Sequence, residues 1–503
     1  MTHIPSINGL QQFPLGHTFS GSPHSVCVSL PTMRDVIGYE EKEPRVINAL
    51  QSGYPRFFEN PLVTKLSQHF CTSADLGDSK LFLCADGTVA SRLLLYAGSG
   101  RLEVLTEGSI YGVSIPTADS SACLRAKNYL KRSGCALSSR VAEKALLDLG
   151  LINALFEERR FDRDAEAEVL SALSPILRVD SAWMMMASSG MNAFFATYQA
   201  ISSMARLQGR RRWVRLGWLY VDTMDIIDQM GDNEQPAIVW EDLNDLDGLR
   251  KHLSPMAEEI AGIIVEVPTN PFFEHVDMDE LVRLAKEIGA RLVVDPSLVS
   301  IWNAPDWEGA DILVSSLTKY AAGAGDVLGG VLAVNSSAEE AGELRAEIEK
   351  WLTPLAAPDL ARLAAQVSEA PEFVSRVNEI LPQVVEFLRG HTQVDRVWCP
   401  DLVDVGSFKG PGAVCSFTVK GEMRAFYDAL EMAKGPSFGT NFTLISPYMW
   451  LAHYGMIIQS KASVDAPAGC AIDYQDLLRL SVGHEGAEAI IAVLERAFAL
   501  TEG

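Results

Sequence analysis

Between Trp183 and Asn335 the chain alternates runs that are apolar throughout with segments whose apolar residues recur every three or four positions. The runs WMMMASS (183–189), RRWVRLGWLYV (211–221), GIIVEV (262–267), RLVVD (291–295), DILVSS (311–316) and GGVLAV (329–334) predict six strands. In MDELVRLAKEIG, Leu281, Leu284, Ala285 and Ile288 fall on one helical face at i, i+3, i+4 and i+7. Strands without polar alternation imply a sheet covered on both faces, so this stretch reads as an α/β domain with a mostly parallel sheet. After Asn335 the pattern changes. Helical text from Glu339 to about Gly390 leads to the strand runs AVCSFTVKG (413–421) and LLRLSVG (477–483) and a closing helix, EAIIAVLERAFAL, which together suggest a smaller α+β domain. The first 180 residues hold helix-like and strand-like pieces, SRVAEKALLDLGLINALF among them, without a clear period. The resulting division is an extended N-terminal region over 1–130, a large domain over 131–340 and a small domain over 341–503.

Composition narrows the partners. Against 42 Lys+Arg stand 65 Asp+Glu, a formal charge of -23, and such a surface repels phosphate backbones, which argues against nucleic acid. No apolar run approaches a membrane span, and MTHIPSINGLQQF has neither a basic nor an apolar leader segment. The eight cysteines are scattered, with no CxxC pair and no zinc-like spacing to histidine, which suits a reducing compartment. The expectation is a soluble cytoplasmic protein without metal.

In such sheets, ligand-binding residues gather at strand ends and in the loops beyond them. Ser189-Gly190-Met191, Tyr220, Asn270, Asp295 and Lys319 all fall there. Lys319, among the small residues of SSLTKYAAGAGDVLGG, has the setting of a desolvated amine that condenses with a carbonyl, with Ser316 and Thr318 as hydroxyl donors beside it. The glycine turn at 189–191 opens a helix, whose free N–H groups attract an anion. A carboxylate such as Asp295 could pair with a protonated ring nitrogen, Asn270 could donate to a phenolate oxygen, and Tyr220 could stack on an aromatic ring. Each also has a plainer reading: a solvated lysine, an ordinary turn, a helix cap, an Asx turn, a core filler. Taken together, they are the inventory that pyridoxal 5′-phosphate (PLP) requires.

Their order carries a resemblance. SSGM, Tyr220, VEVPTNP, VVDPS and SSLTKY…GDVLGG, followed by GPSFGTNFTLISPYMWLAHY (435–454) and LLRLSVGHE (477–485), resemble the PLP-dependent enzymes of fold type I in cysteine and methionine metabolism, the cystathionine γ-synthase family. SLPTMRDVIGYEE, SGYPRFF and SGCALSSRVAE are similar to its fungal-type subgroup. The resemblance implies an aspartate aminotransferase-like large domain and sites shared across a homodimer or homotetramer. It implies that Lys319 holds the cofactor as a Schiff base and shuttles protons, that Asp295 keeps the ring nitrogen protonated, that Tyr220 stacks on the ring and that Asn270 bonds its 3′-oxygen. Ser189, Gly190, Met191, Ser316 and Thr318 would serve the phosphate, with Ser297 nearby, while Arg479 and Ser437 would clamp the substrate carboxylate.

Several positions depart from the family. Its Tyr-x-Arg, which reaches the phosphate from a neighbouring subunit, has two counterparts: Ser138-Ser139-Arg140, favoured by spacing, and Tyr54-Pro55-Arg56, favoured by its letters. GAGD stands for GHSD, Pro296-Ser297 follow Asp295 where a threonine is usual, and Phe438 replaces leucine. The first expectation for the reaction is γ-replacement on an O-activated homoserine. The alternative is γ-elimination from a γ-substituted amino acid, a halogenated one included, to give an unsaturated or alkyne product. An aminotransferase or a scaffold without turnover fits the motifs less well.

Overall fold

A computed structural model of the chain describes residues 7–54, 57–106, 109–231, 235–304, 306–400, 408–462 and 474–501. Its N-terminal sheet joins β1 (Ser79–Cys84), β2 (Arg101–Leu105) and β3 (Ile110–Pro116), antiparallel in the order β1-β3-β2. The sequence pattern did not announce this sheet, whose outer strand β2 is largely solvent-facing.

The central sheet holds β4 (Met184–Ala187), β5 (Arg212–Leu216), β6 (Ile238–Trp240), β7 (Ile260–Glu266), β8 (Arg291–Asp295), β9 (Ile312–Ser316) and β10 (Gly330–Val334). Their spatial order is β4-β10-β9-β8-β7-β5-β6, and β10 alone runs against its neighbours. All six predicted strands are present. The run from Arg211 stops at Leu216 because Gly217 turns the chain at φ +69°, and Tyr220 then caps the helix Val221–Met230. The helix Met278–Ile288 buries the four residues its period singles out, starts at the Asp277 side chain and ends on the left-handed Gly289. Helices on both faces explain why β7, β9 and β10 are apolar almost throughout.

Three helices, Ala341–Trp351, Ala357–Val367 and Ala370–Gly390, lead to the C-terminal sheet. That sheet orders β11 (Val394–Trp398), β12 (Val414–Val419), β13 (Ala433–Lys434), β14 (Leu444–Pro447) and β15 (Leu478–Ser481) as β11-β12-β15-β14-β13, and the helix Ala487–Thr501 closes the chain. The segment before residue 54 straps across this domain. Leu30 N donates to Lys434 O at 2.8 Å and Val26 N to Gly325 O at 2.9 Å, while Val28, Leu30, Met33 and Val36 share one core with Phe417 and Leu478. Among the described residues no helix is long and apolar enough to cross a membrane.

Candidate active site

The ends of β4, β7, β8 and β9, the strap and the C-terminal sheet enclose a cavity of about 1090 Å³. Tyr54, Arg140, Ser189, Gly190, Met191, Tyr220, Asn270, Asp295, Ser297, Ser316, Lys319, Ser437 and Arg479 all line it. Residues more than 400 positions apart thus meet in one space. Arg56 lies outside the described residues.

Lys319 follows β9 and is 8% exposed. Its Nζ donates to Ser437 Oγ at 2.7 Å and lies 5.1 Å from the Tyr54 ring centroid and 4.8 Å from that of Phe438. Burial, seconded by the Arg479 charge and opposed by Cys27, lowers its pKa to about 7. A good fraction of the amine is therefore a free base near neutrality. Arg479 comes from β15, between Ser446 of β14 and Ser416 of β12. Its Nη1 donates to Asn270 Oδ1 and its Nη2 to the Ser437 carbonyl, both at 3.2 Å. Its Cζ lies 4.8 Å from the Phe438 ring and 4.6 Å from the Tyr448 ring, an aromatic sandwich that suits a planar cation. Its buried Nε has no hydrogen-bond partner among the described residues. That orphan donor marks a place for a carboxylate.

Asp295 ends β8 and accepts from Ser297 N at 2.8 Å, and Ser297 Oγ in turn accepts from Ser316 N at 2.8 Å. No ion pair to Asp295 exists among the described residues. Burial raises its pKa to about 6, against the two hydrogen bonds from Ser297. A carboxylate so placed calls for a cation. Glu266, its register partner on β7, accepts from the Tyr220 backbone N–H and is pushed well above the ordinary carboxyl range, by burial first and by Asp295 second. The sequence reading passed over Glu266. The available signal was an acid closing an apolar strand, VEVPTNP, next to another strand ending in an acid.

At the anion end, Ser189 caps the 18-residue helix Gly190–Leu207 through Asn192 N. A Cβ on Gly190 would stand 2.7 Å from Ser316 Cβ, so only glycine lets the turn pack against β9. Two expectations are corrected here. Thr318 does not line the cavity: its hydroxyl accepts from Gly329 N at 3.1 Å and faces Gly329 O at 3.4 Å, closing the loop around the lysine. Arg140, 2% exposed, is engaged by Glu158, Asp359 and the Asp326 carbonyl at 2.7–2.9 Å, leaving no fork for a phosphate. Of the two Tyr-x-Arg counterparts, the one that approaches Lys319 is the one containing Tyr54.

This donor set fits PLP. Lys319 would hold its aldehyde carbon, Asp295 would pair with its ring nitrogen, Tyr220 and Asn270 would flank the ring, and the 189–191 turn with Ser316 would face the phosphate. Ser437 and Arg479 remain for the substrate.

Comparison with known proteins agrees with this cofactor. A family model described as Cys/Met metabolism PLP-dependent enzyme matches residues 168–499. The L-2-amino-4-chloropent-4-enoate dechlorinase/desaturase of Streptantibioticus cattleyicolor is 32% identical over 95% of this chain and 97% of its own. The cystathionine gamma-synthase of Neurospora crassa is 26% identical over 97% of this chain and 99% of its own. Among solved structures, cystathionine gamma-lyase from Lactobacillus plantarum complexed with L-serine superposes with a TM-score of 0.56 at 20% identity, covering 69% of this chain and 90% of that one, which shows a common fold.

Proposed function

The chain belongs to the Cys/Met metabolism PLP-dependent enzymes, and from that premise we propose that it removes a small leaving group, a halide, from Cγ of an amino acid and leaves an unsaturated product. PLP, when bound, supplies the electron sink that makes the Cα and Cβ protons acidic. The chain supplies position and proton transfer. Arg479 grips the substrate carboxylate through its fork, with Ser437 alongside. Lys319 Nζ, a free base near pH 7, takes the proton first from Cα and then from Cβ, and Ser437 Oγ holds the amine on that path. One of the two protons is returned to Cα before the product leaves, so the balance is loss of one proton and one halide ion, with a new carbon–carbon π bond.

One observation carries the choice of elimination. The space around the amine is walled by the rings of Tyr54 and Phe438, and Phe438 also covers Arg479. A γ-replacement must seat a second charged amino acid there, whereas a carbon–halogen bond suits aromatic walls. The relative that is 32% identical bears a name that describes the removal of chlorine from a chlorinated amino acid, and supports the same reading. The cystathionine gamma-synthase relatives favour the second reading, γ-replacement on an O-activated homoserine.

The deciding experiment incubates PLP-loaded protein with L-2-amino-4-chloropent-4-enoate, and separately with O-acetyl- or O-succinylhomoserine with and without cysteine. Chloride release with a product lighter by HCl is expected. Cystathionine from the homoserine ester, without chloride release from the chlorinated acid, would establish replacement instead.

A further inference from the structure

One buried acid takes no part in the proton transfers above. Glu266 closes β7, is 6% exposed and stands opposite Asp295 in the parallel register, so both carboxyls project into the cavity from adjacent strand ends. Its carboxyl accepts the backbone N–H of Tyr220. Tyr220 caps the helix after β5. The Glu266 side chain therefore ties the loop that ends at Tyr220 to the end of β7, on the strand beside the one that carries Asp295.

Burying two carboxyls side by side is tolerable when they share one negative charge. Asp295 has a role for that charge, opposite a cationic ring nitrogen. Glu266 has the Tyr220 backbone N–H to satisfy, which a neutral carboxyl oxygen does as well as an ionised one.

We infer that Glu266 is a positioning residue that, in its neutral form, fastens the Tyr220 loop to the sheet and so fixes the orientation of the cofactor ring. This rests on the family's cofactor and is independent of the substrate. Glutamine keeps the acceptor oxygen, the size and the neutrality. Methionine keeps the size without the acceptor, and alanine keeps neither.

The test titrates cofactor-free protein with PLP for the parent, Glu266→Gln, Glu266→Met and Glu266→Ala, reading the Kd, the visible circular dichroism of the bound cofactor, and the Tm before loading. Glu266→Gln is expected to match the parent in Kd and dichroism. Glu266→Met and Glu266→Ala are expected to weaken binding about tenfold, as leaving the buried Tyr220 N–H without its acceptor implies, and to diminish the dichroic band. If alanine does not fold, the glutamine–methionine pair decides. Parental Kd and dichroism in Glu266→Met would overturn the inference, as would a Glu266→Gln protein as defective as Glu266→Met. No substrate enters these measurements, so their failure is separate from failure of the elimination reading.

Discussion

Lys319 Nζ sits between one hydrogen-bond acceptor, Ser437 Oγ, and two aromatic faces, and both kinds of neighbour bear on its behaviour. With a pKa of about 7 instead of 10.5, the native amine sheds its proton while the unfolded chain keeps it. From pH 7 toward 10.5 the unfolded state binds more protons, so cofactor-free protein gains stability as pH rises across that window. Thermal unfolding against pH should show a slope that Lys319→Met loses. Reaction of the amine with PLP should rise through pH 7 and level off above it. Phe438 touches both Lys319 and Arg479, and Phe438→Leu should lower kcat/KM for L-2-amino-4-chloropent-4-enoate, if elimination is the reaction, while opening room for cysteine, read as cystathionine formed from O-acetylhomoserine. The smaller side chain should also reduce stability by about 1 kcal/mol, visible in denaturant unfolding.

At the scale of elements, the turn from β4 into the helix Gly190–Leu207 depends on contact between Gly190 and Ser316 of β9. Gly190→Ala puts a methyl group into the Ser316 backbone and should cost about 1–3 kcal/mol in unfolding assays, with weaker PLP binding in titration. This turn was legible in the sequence, as were β7, β8 and β9, because strands covered on both faces leave uninterrupted apolar runs. Asp295 and Lys319 stood out because they interrupt such runs at their ends. What escaped was direction and distance. Thr318 and Lys319 are neighbours, yet one side chain turns back to Gly329 and the other enters the cavity, and no periodicity rule holds in an irregular loop. Arg140 had the right spacing before Ser189, but its partners Glu158, Asp326 and Asp359 are up to 219 positions away. The two-residue β13 and the three-residue β6 were too short to leave a pattern.

At the scale of the molecule, the cavity draws on the strap, the central sheet and the C-terminal sheet of one chain. The family resemblance implied a tyrosine from a neighbouring subunit, whereas here Tyr54 approaches Lys319 of its own chain. Mixing Lys319→Ala with Tyr54→Ala protein under conditions of subunit exchange should therefore restore no activity. A shared site would restore about a quarter of the parental rate, because half of the re-formed dimers would carry one complete site of two.

The strap is anchored both early and late in the chain: His24 meets Ser139 and Glu143, while Leu30 bonds Lys434 and Val26 bonds Gly325. During translation the tyrosine segment emerges early and waits for several hundred further residues before its last anchors, at Gly325 and Lys434, exist. A nascent polypeptide stalled before the last third holds Lys319 and Asp295 but lacks Arg479 and the Lys434 anchor for its own beginning. Assembly of this pocket therefore waits for the C-terminal sheet that carries Arg479.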